Sequence, residues 1–195
     1  MKHCYPNRLK LAGIKTVLAL LAILSLLGYP VQADNYPPTV GKMRGFVLLK
    51  EPVAAPETPF FDESDAVRHF SDFGDQVLLV NFWATWCAPC VREMPDLDRL
   101  QADMGGPDFQ VITINQDIKG AAIAGPFLRD RLGLENLTLF IDKKMKLGRA
   151  FKVRGLPTTF LLDRQHRVIG SYAGPADWAS EDAKTLIQHV IDSSR

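Results

Sequence analysis

A mixed α/β sheet with helices on both faces is the fold class that this sequence predicts, and three observations carry it. Val77–Trp83 (VLLVNFW) is a continuous apolar run of the kind a strand buried on both faces requires. Strand-like and helix-like segments alternate after it. The chain then closes on a hairpin and an amphipathic helix, the order expected of a sheet sandwiched between helices.

The elements follow from local chemistry. Residues 34–59 are punctuated by Pro37, Pro38, Gly41, Gly45, Pro52, Pro56 and Pro59, which predicts a linker, one short strand over Phe46–Leu49, and loop. Asp65–Phe73 reads as a short helix or turn. After the Val77–Trp83 strand, a helix is expected from about Cys87 to Met104, stopped by Gly105-Gly106-Pro107. Phe109–Ile114 supplies a second strand through Val111, Ile112 and Ile114. Ala121–Leu132 reads as a helix interrupted near Gly125-Pro126, with Gly133 as its C-terminal stop. Leu137–Ile141 is a short strand and Lys144–Phe151 a short helix. Thr159–Leu162 and Val168–Ala173 flank the polar turn Asp163-Arg164-Gln165-His166 and form a hairpin. The closing helix, Trp178–Ile191, lines up Ala183, Leu186, Ile187, Val190 and Ile191 on one face.

The 195 residues fit one domain with additions, and a 47% apolar content supports a packed core. The net charge of +1 gives no sign of a nucleic-acid-binding protein. Its distribution is uneven, because residues 1–33 carry Lys2, Arg8, Lys10 and Lys15 and no acid. Without them the chain has 19 basic residues (23 less those four) against 22 acidic, a net of −3. The basic start precedes the apolar run Val17–Leu27, the helix-breaking Gly28-Tyr29-Pro30, and Val31-Gln32-Ala33 with small residues at −3 and −1. Eleven helical residues rise only about 16 Å, against the ~30 Å of a bilayer's apolar core. A signal peptide over 1–33, cleaved before Asp34, is therefore the expectation, with retention as a membrane anchor as the alternative. Cys4 precedes the apolar run, so it is no lipoprotein acceptor and leaves with the signal. Two cysteines then remain, Cys87 and Cys90, in a compartment where disulfides persist.

That pair carries the chemistry. Cys87-Ala88-Pro89-Cys90 follows a buried strand and opens a helix, so Cys87 meets unpaired N–H groups and a dipole that favour its thiolate. Cys90 lies one turn inside, near enough to close a disulfide but shielded, and Pro89 is tolerated in the first turn. The expected sequence of events is attack by Cys87 on a substrate disulfide and resolution by Cys90. A zinc site would need a second pair of ligands, and His69, His166 and His189 are not paired at ligand spacing. A purely structural disulfide across two intervening residues would restrain the unfolded chain little.

The segment VNFWATWCAPCVREMP, Val80 to Pro95, resembles the active-site segment of the thioredoxin superfamily, closest to its exported TlpA/ResA-like branch. That branch includes the cytochrome c maturation reductases. Gly155-Leu156-Pro157-Thr158-Thr159-Phe160 resembles the cis-proline loop that faces the CxxC pair. The resemblance spans roughly Phe73 to Ala173 and implies a thioredoxin-like domain over 60–195, after a linker and edge strand over 34–59. The long interval from Cys90 to Pro157 resembles the TlpA-type insertion, here around Asn115–Leu139.

The same resemblance implies residue roles. Pro157 is expected to be cis, exposing the Leu156 backbone to a substrate peptide; the alternative is a trans turn proline. Thioredoxin has a buried acid six residues before its first cysteine, where this chain has Asn81; the branch with Asn there carries an acid on the helix, and Glu93 matches it. Glu93 stands three residues beyond Cys90, so a desolvated carboxyl there would exchange a proton with the Cys90 thiol; the alternative is an exposed helical glutamate. Pro95 matches the helix-kinking proline. Trp83 and Trp86 are expected to pack around the disulfide, with a plain core role the equal alternative for Trp83 and Trp86 also touching substrate, while Met94 is core and Arg92, Asp96 and His166 are at the surface.

The expected activity is a thiol–disulfide oxidoreductase, acting as a reductase of protein disulfides outside the cytoplasm. No cofactor beyond the Cys87–Cys90 disulfide is expected, and no nucleic acid. The resemblance implies apocytochrome c or metal-site thiols as substrates and a membrane redox partner as electron donor. Two alternatives stay open: a Cu(I)-binding assembly chaperone using the same two thiols, and a general oxidative-folding catalyst.

Overall fold

The computed structural model describes Met1 and residues 37–194. The signal-peptide reading of residues 1–33, its cleavage before Asp34, and Cys4 lie outside the described residues. Among the described residues no helix is long and apolar enough to cross a membrane.

The described strands form one mixed sheet in the order β1-β8-β7-β4-β5-β6-β2-β3. The strands are β1 Val47–Ala54, β2 Phe60–Phe61, β3 Val67–Arg68, β4 Val77–Trp83, β5 Phe109–Asn115, β6 Thr138–Ile141, β7 Thr158–Leu162 and β8 Arg167–Ala173. β4, β5 and β6 are parallel, with Val77 opposite Phe109 and Ile112 opposite Thr138. β7 runs antiparallel to β4, and the β7–β8 hairpin expected from the sequence is present. Every residue of β4 is buried, as its unbroken apolar run implies.

The helices are α1 Ala88–Met104, α2 Ala121–Pro126, α3 Lys146–Ala150 and α4 Glu181–Ser193. α1 buries Cys90, Met94, Leu97 and Leu100 at helical spacing, and α4 buries the five residues that the sequence aligns on one face. α4 starts later than the apolar pattern suggests because the Ser180 side chain caps it, accepting from the Ala183 N–H at 3.3 Å. After α2 the chain widens into a π-type turn over Phe127–Arg131, following Pro126, which has no N–H to continue the α ladder. Gly133, at φ +65°, ends that segment as expected.

Four readings are corrected. β1 extends to Ala54 rather than Leu49: four residues bulge out between Leu48 and Val53, which lets Pro52 sit in an edge strand without a ladder donor. Asp65–Phe73 is not one helix or turn but β3 followed by a 3₁₀ turn, Phe70–Phe73. β2 and β3, two residues each, are held by Asp62, whose carboxylate accepts from the Ser64 and Ala66 N–H groups and from Arg68. His166 is half-buried rather than a free surface residue, its Nε2 enclosed without a hydrogen-bond partner among the described residues and burial lowering its pKa. Asp96 is also partly buried, and burial, then the charge of Asp177, raises its pKa.

Candidate active site

β4 carries the chain to the C-terminal end of the parallel strands, where a turn, Ala84 to Cys87, delivers it into α1; the Cys87 N–H donates to the Ala84 carbonyl at 3.1 Å. The turn is held from the neighbouring strand end. Buried Asp117 accepts from the Thr85 N–H and the Thr85 hydroxyl, both at 2.9 Å, and from Asn115 Nδ2 at 2.7 Å. Three donors on one carboxylate fix the loop that sets the position of Cys87. The sequence reading missed this network. Its only local signal is the polar run Asn115-Gln116-Asp117 at the end of an apolar strand.

Cys87 is the N-cap of α1, and its Sγ accepts from the Cys90 N–H at 3.3 Å. The two cysteines are joined as a disulfide, with Cα atoms 5.3 Å apart. Cys87 retains 5% exposure and Cys90 none, so the pair is polarised, with only the first cysteine meeting the surface. Trp83 is fully buried behind it and stacks obliquely near Phe127. Trp86, in the Ala84–Cys87 turn, is 67% exposed, unlike its buried neighbours Ala84 and Cys87.

Glu93 lies one helical turn beyond Cys90 and is 2% exposed. Its Oε1 accepts from Asn81 Nδ2 at 2.9 Å; its Oε2 accepts from the Ala176 N–H at 3.0 Å and from the Trp178 indole at 3.3 Å. Burial dominates over these donors and pushes its pKa up to about 7, with the nearby charge of Asp96 adding slightly. Asn81 also donates to Thr159 Oγ1 at 2.9 Å, tying β4 to β7 beneath the site. Glu93 is thus not an exposed helical residue. The sequence pointed to Glu93 and Asn81, but not to Ala176 and Trp178, which come from more than 80 residues away.

The Leu156–Pro157 bond is cis, as the resemblance implied. Phe82 pairs with Thr158, so Pro157 falls alongside Trp83 at the end of β4 that leads to Cys87. The Gly174 N–H donates to the Pro157 carbonyl at 2.9 Å, and Thr158 Oγ1 donates to the Gly155 carbonyl at 2.8 Å, fixing both sides of the loop. Leu156 is partly exposed and Pro157 is buried. Among the described residues no three His, Cys, Asp or Glu side chains come together as a metal site.

A CxxC disulfide with its first cysteine at the surface, opposite a cis-proline loop, is built to be made and broken by exchange with another thiol. In class, the protein is a CxxC thiol–disulfide oxidoreductase of thioredoxin-like fold. Known proteins place it more closely: the profile of the Redoxin family matches residues 52–187, and the chain belongs to that family. It is 28% identical over 177 residues to the thiol-disulfide oxidoreductase ResA of Geobacillus thermodenitrificans, covering 91% of this chain and 94% of that one. To the thiol:disulfide interchange protein HelX of Rhodobacter capsulatus it is 35% identical over 154 residues, covering 76% and 78%. A solved structure from Chlorobium tepidum, assigned as a thiol:disulfide interchange protein DsbE, superposes with a TM-score of 0.60 at 28% identity, covering 75% of this chain and 99% of that one. The TlpA/ResA-like resemblance read from the motifs is borne out by these relatives.

Proposed function

We propose that this protein works in the reductive direction on protein disulfides outside the cytoplasm. The observation that carries the exchange chemistry is the polarised Cys87–Cys90 pair at the start of α1, with Glu93, a buried carboxyl whose pKa is raised to about 7, one turn from the recessed cysteine; the reductive direction follows the resemblance to the cytochrome c maturation reductases. In the reduced enzyme the Cys87 thiolate attacks a substrate disulfide, forming one mixed disulfide and expelling one substrate thiolate. Cys90 then gives up its proton to the Glu93 carboxylate and attacks Cys87, releasing the second substrate thiolate and closing the Cys87–Cys90 disulfide. Two electrons pass to the substrate, and a dithiol donor must restore the pair. A membrane redox partner is the donor that the export reading favours, and the family resemblance extends the substrates to apocytochrome c or metal-site thiols. The basic start and apolar run of residues 1–33 support export, with Asp34 as the mature N-terminus.

The test is trapping. Cys90→Ser is expected to accumulate mixed disulfides with exported proteins, whereas Cys87→Ser accumulates almost none. Equal trapping by the two variants on a non-reducing gel overturns the assignment. A couple near the thioredoxin potential of about −270 mV supports the reductive direction, and one near about −120 mV favours an oxidant. Retention of stoichiometric Cu(I) against a strong chelator, without any reductase activity, would establish the chaperone instead.

A further inference from the structure

The overall charge hides a local excess. Between Asp142 and Asp163 the chain carries six cations, Lys143, Lys144, Lys146, Arg149, Lys152 and Arg154, and no acid. Asp142 offers them little outward compensation, because it is 3% exposed and its carboxylate accepts from the Leu147 and Gly148 N–H groups at 3.2 and 2.8 Å. Lys143 pairs with Asp65 at 2.6 Å. The other five are exposed, and none pairs with a carboxylate among the described residues.

This stretch is α3 with its flanking turns, and it leads directly into the Gly155–Pro157 loop at the redox centre. Leu147 and Gly148 anchor it inward, so Lys146 and Arg149 face solvent. A hollow lies on each side. One, of about 370 Å³, sets Ile118 and Met145 among Lys143, Lys144 and Arg149. The other, of about 360 Å³, sets Phe151, Val153 and Leu156 beside Lys152, Arg154 and Pro157. Ile118, 88% exposed, follows Asp117, the residue that holds the Thr85–Cys87 turn. One pit with a cationic rim thus ends at Ile118, next to the residue that holds the CxxC turn, and the other takes in the cis-proline loop itself.

We propose that the basic edge of α3 is a docking surface for an acidic, apolar-tipped segment of the substrate protein, which it steers so that the segment's disulfide reaches Cys87. The proposal rests on the reductase reading and adds the chemistry of the substrate to it. Exposed like charges without partners create a field that raises the encounter rate of an opposite charge, and the pits take apolar side chains of the arriving segment. A flat anionic membrane would meet the cations but fill neither pit.

Three disulfide-bonded synthetic peptides, identical except for Glu/Leu, Gln/Leu or Lys/Leu flanks, test this. They are reduced by the full protein at ionic strengths of about 0.01 M and about 1 M, where the Debye length falls from about 30 Å to about 3 Å. The expected result is a kcat/KM ratio of acidic over basic peptide of at least roughly tenfold at low salt, collapsing towards one at high salt. The combined Lys144→Glu, Arg149→Glu, Lys152→Glu variant should bring that ratio below one; as a ratio within one sample, it is insensitive to a partly folded fraction. Equal rates for the three peptides in wild type, or an unchanged ratio in the variant, overturn the proposal. If no peptide is reduced, the reductase reading fails, and docking is decided by fluorescence anisotropy with Cys→Ser peptides: tighter binding of the acidic one supports it, equal binding overturns it. Binding to phosphatidylserine vesicles that the variant loses, with no preference among peptides, also overturns it and makes the edge a membrane contact.

Discussion

Each central strand presents one side to α1, α2 and α4 and the other to a cluster of phenylalanines, and these two sides tolerate different residues. On the helical side, Asn81, Thr113 and Thr159 are fully buried beside Leu79, Val111 and Leu161, and Glu93 comes down onto Asn81 from α1. On the other side Leu78, Val80, Phe82, Ile112, Ile114, Phe140 and Leu162 form an apolar cluster, with Thr158, opposite Phe82, donating its hydroxyl to the Gly155 carbonyl at its end. Phe60 closes over them, its ring 5.2 Å from Phe140 in a T-shaped contact and 5.2 Å from Phe70. Buried polar groups cost stability unless satisfied, and on the helical side Glu93, Asn81 and Thr159 satisfy one another one turn from Cys90, which marks where the molecule needs a proton-active interior. The aromatic side, free of that demand, is a packing platform.

If that division holds, substitutions on the two sides should fail in different assays. The largest effect belongs to the helical side: Cys90→Ser removes the resolving thiol, so multiple turnover should fall to background while the reduced proteins unfold at similar denaturant midpoints. A variant that still turned over would separate Cys90 from the reaction. Phe60→Ala should do the reverse, lowering stability by about 3–5 kcal/mol through the cavity it leaves, with the redox potential of the folded protein in place. A shifted potential in that variant would show that the two sides are coupled.

Glu93→Gln should affect both assays, more gently. A carboxyl whose pKa rises from 4.5 unfolded to about 7 folded binds more protons in the native state across that window. Stability must then fall as pH rises through it, by at most about 3 kcal/mol from this group. Asp96, also raised by burial and on the same helix, titrates too, so the informative quantity is the difference between wild type and Glu93→Gln. Denaturant midpoints at pH 4.5 and 8 should converge for the variant, and its alkylation profile for the cysteine pair should lose the inflection near 7. Superimposable profiles would leave Glu93 a structural residue.

Legibility in the sequence followed the range of the interactions. α1, α4, β4 and the β7–β8 hairpin came from periodicity and turn residues within a few positions, and Cys87, Cys90 and Pro157 from contiguous motifs. β2 and β3 were beyond reach, since two-residue strands carry no period and depend on Asp62 and on pairing with Ile141. The exposure of Trp86 was not legible, since its neighbours in the turn, Ala84 and Cys87, are both buried. The identity of Glu93 was legible, but its partners at Ala176 and Trp178 exist only once the hairpin and α4 have packed against α1.

The smallest effect tests whether the helical side's chemistry extends to the loop that carries it. Asp117 touches neither sulfur; it acts through Thr85, two residues before Cys87, and through Asn115. Asp117→Asn keeps the volume and one acceptor oxygen, but removes the charge and places an amide where two donors already point. Weakening charge-assisted bonds of this kind costs about 1.5–3 kcal/mol, less where the loop relaxes towards water. A purely structural role predicts a lower unfolding midpoint and an unchanged reaction below it. A positioning role predicts, in addition, a lower kcat with KM retained and slower alkylation of Cys87 in the reduced protein, because the turn no longer holds the sulfur at the helix terminus. Asp117→Glu, which keeps the charge, should restore part of the rate if the carboxylate itself matters. Loss of midpoint alone, with kcat and alkylation unmoved, would confine Asp117 to the fold.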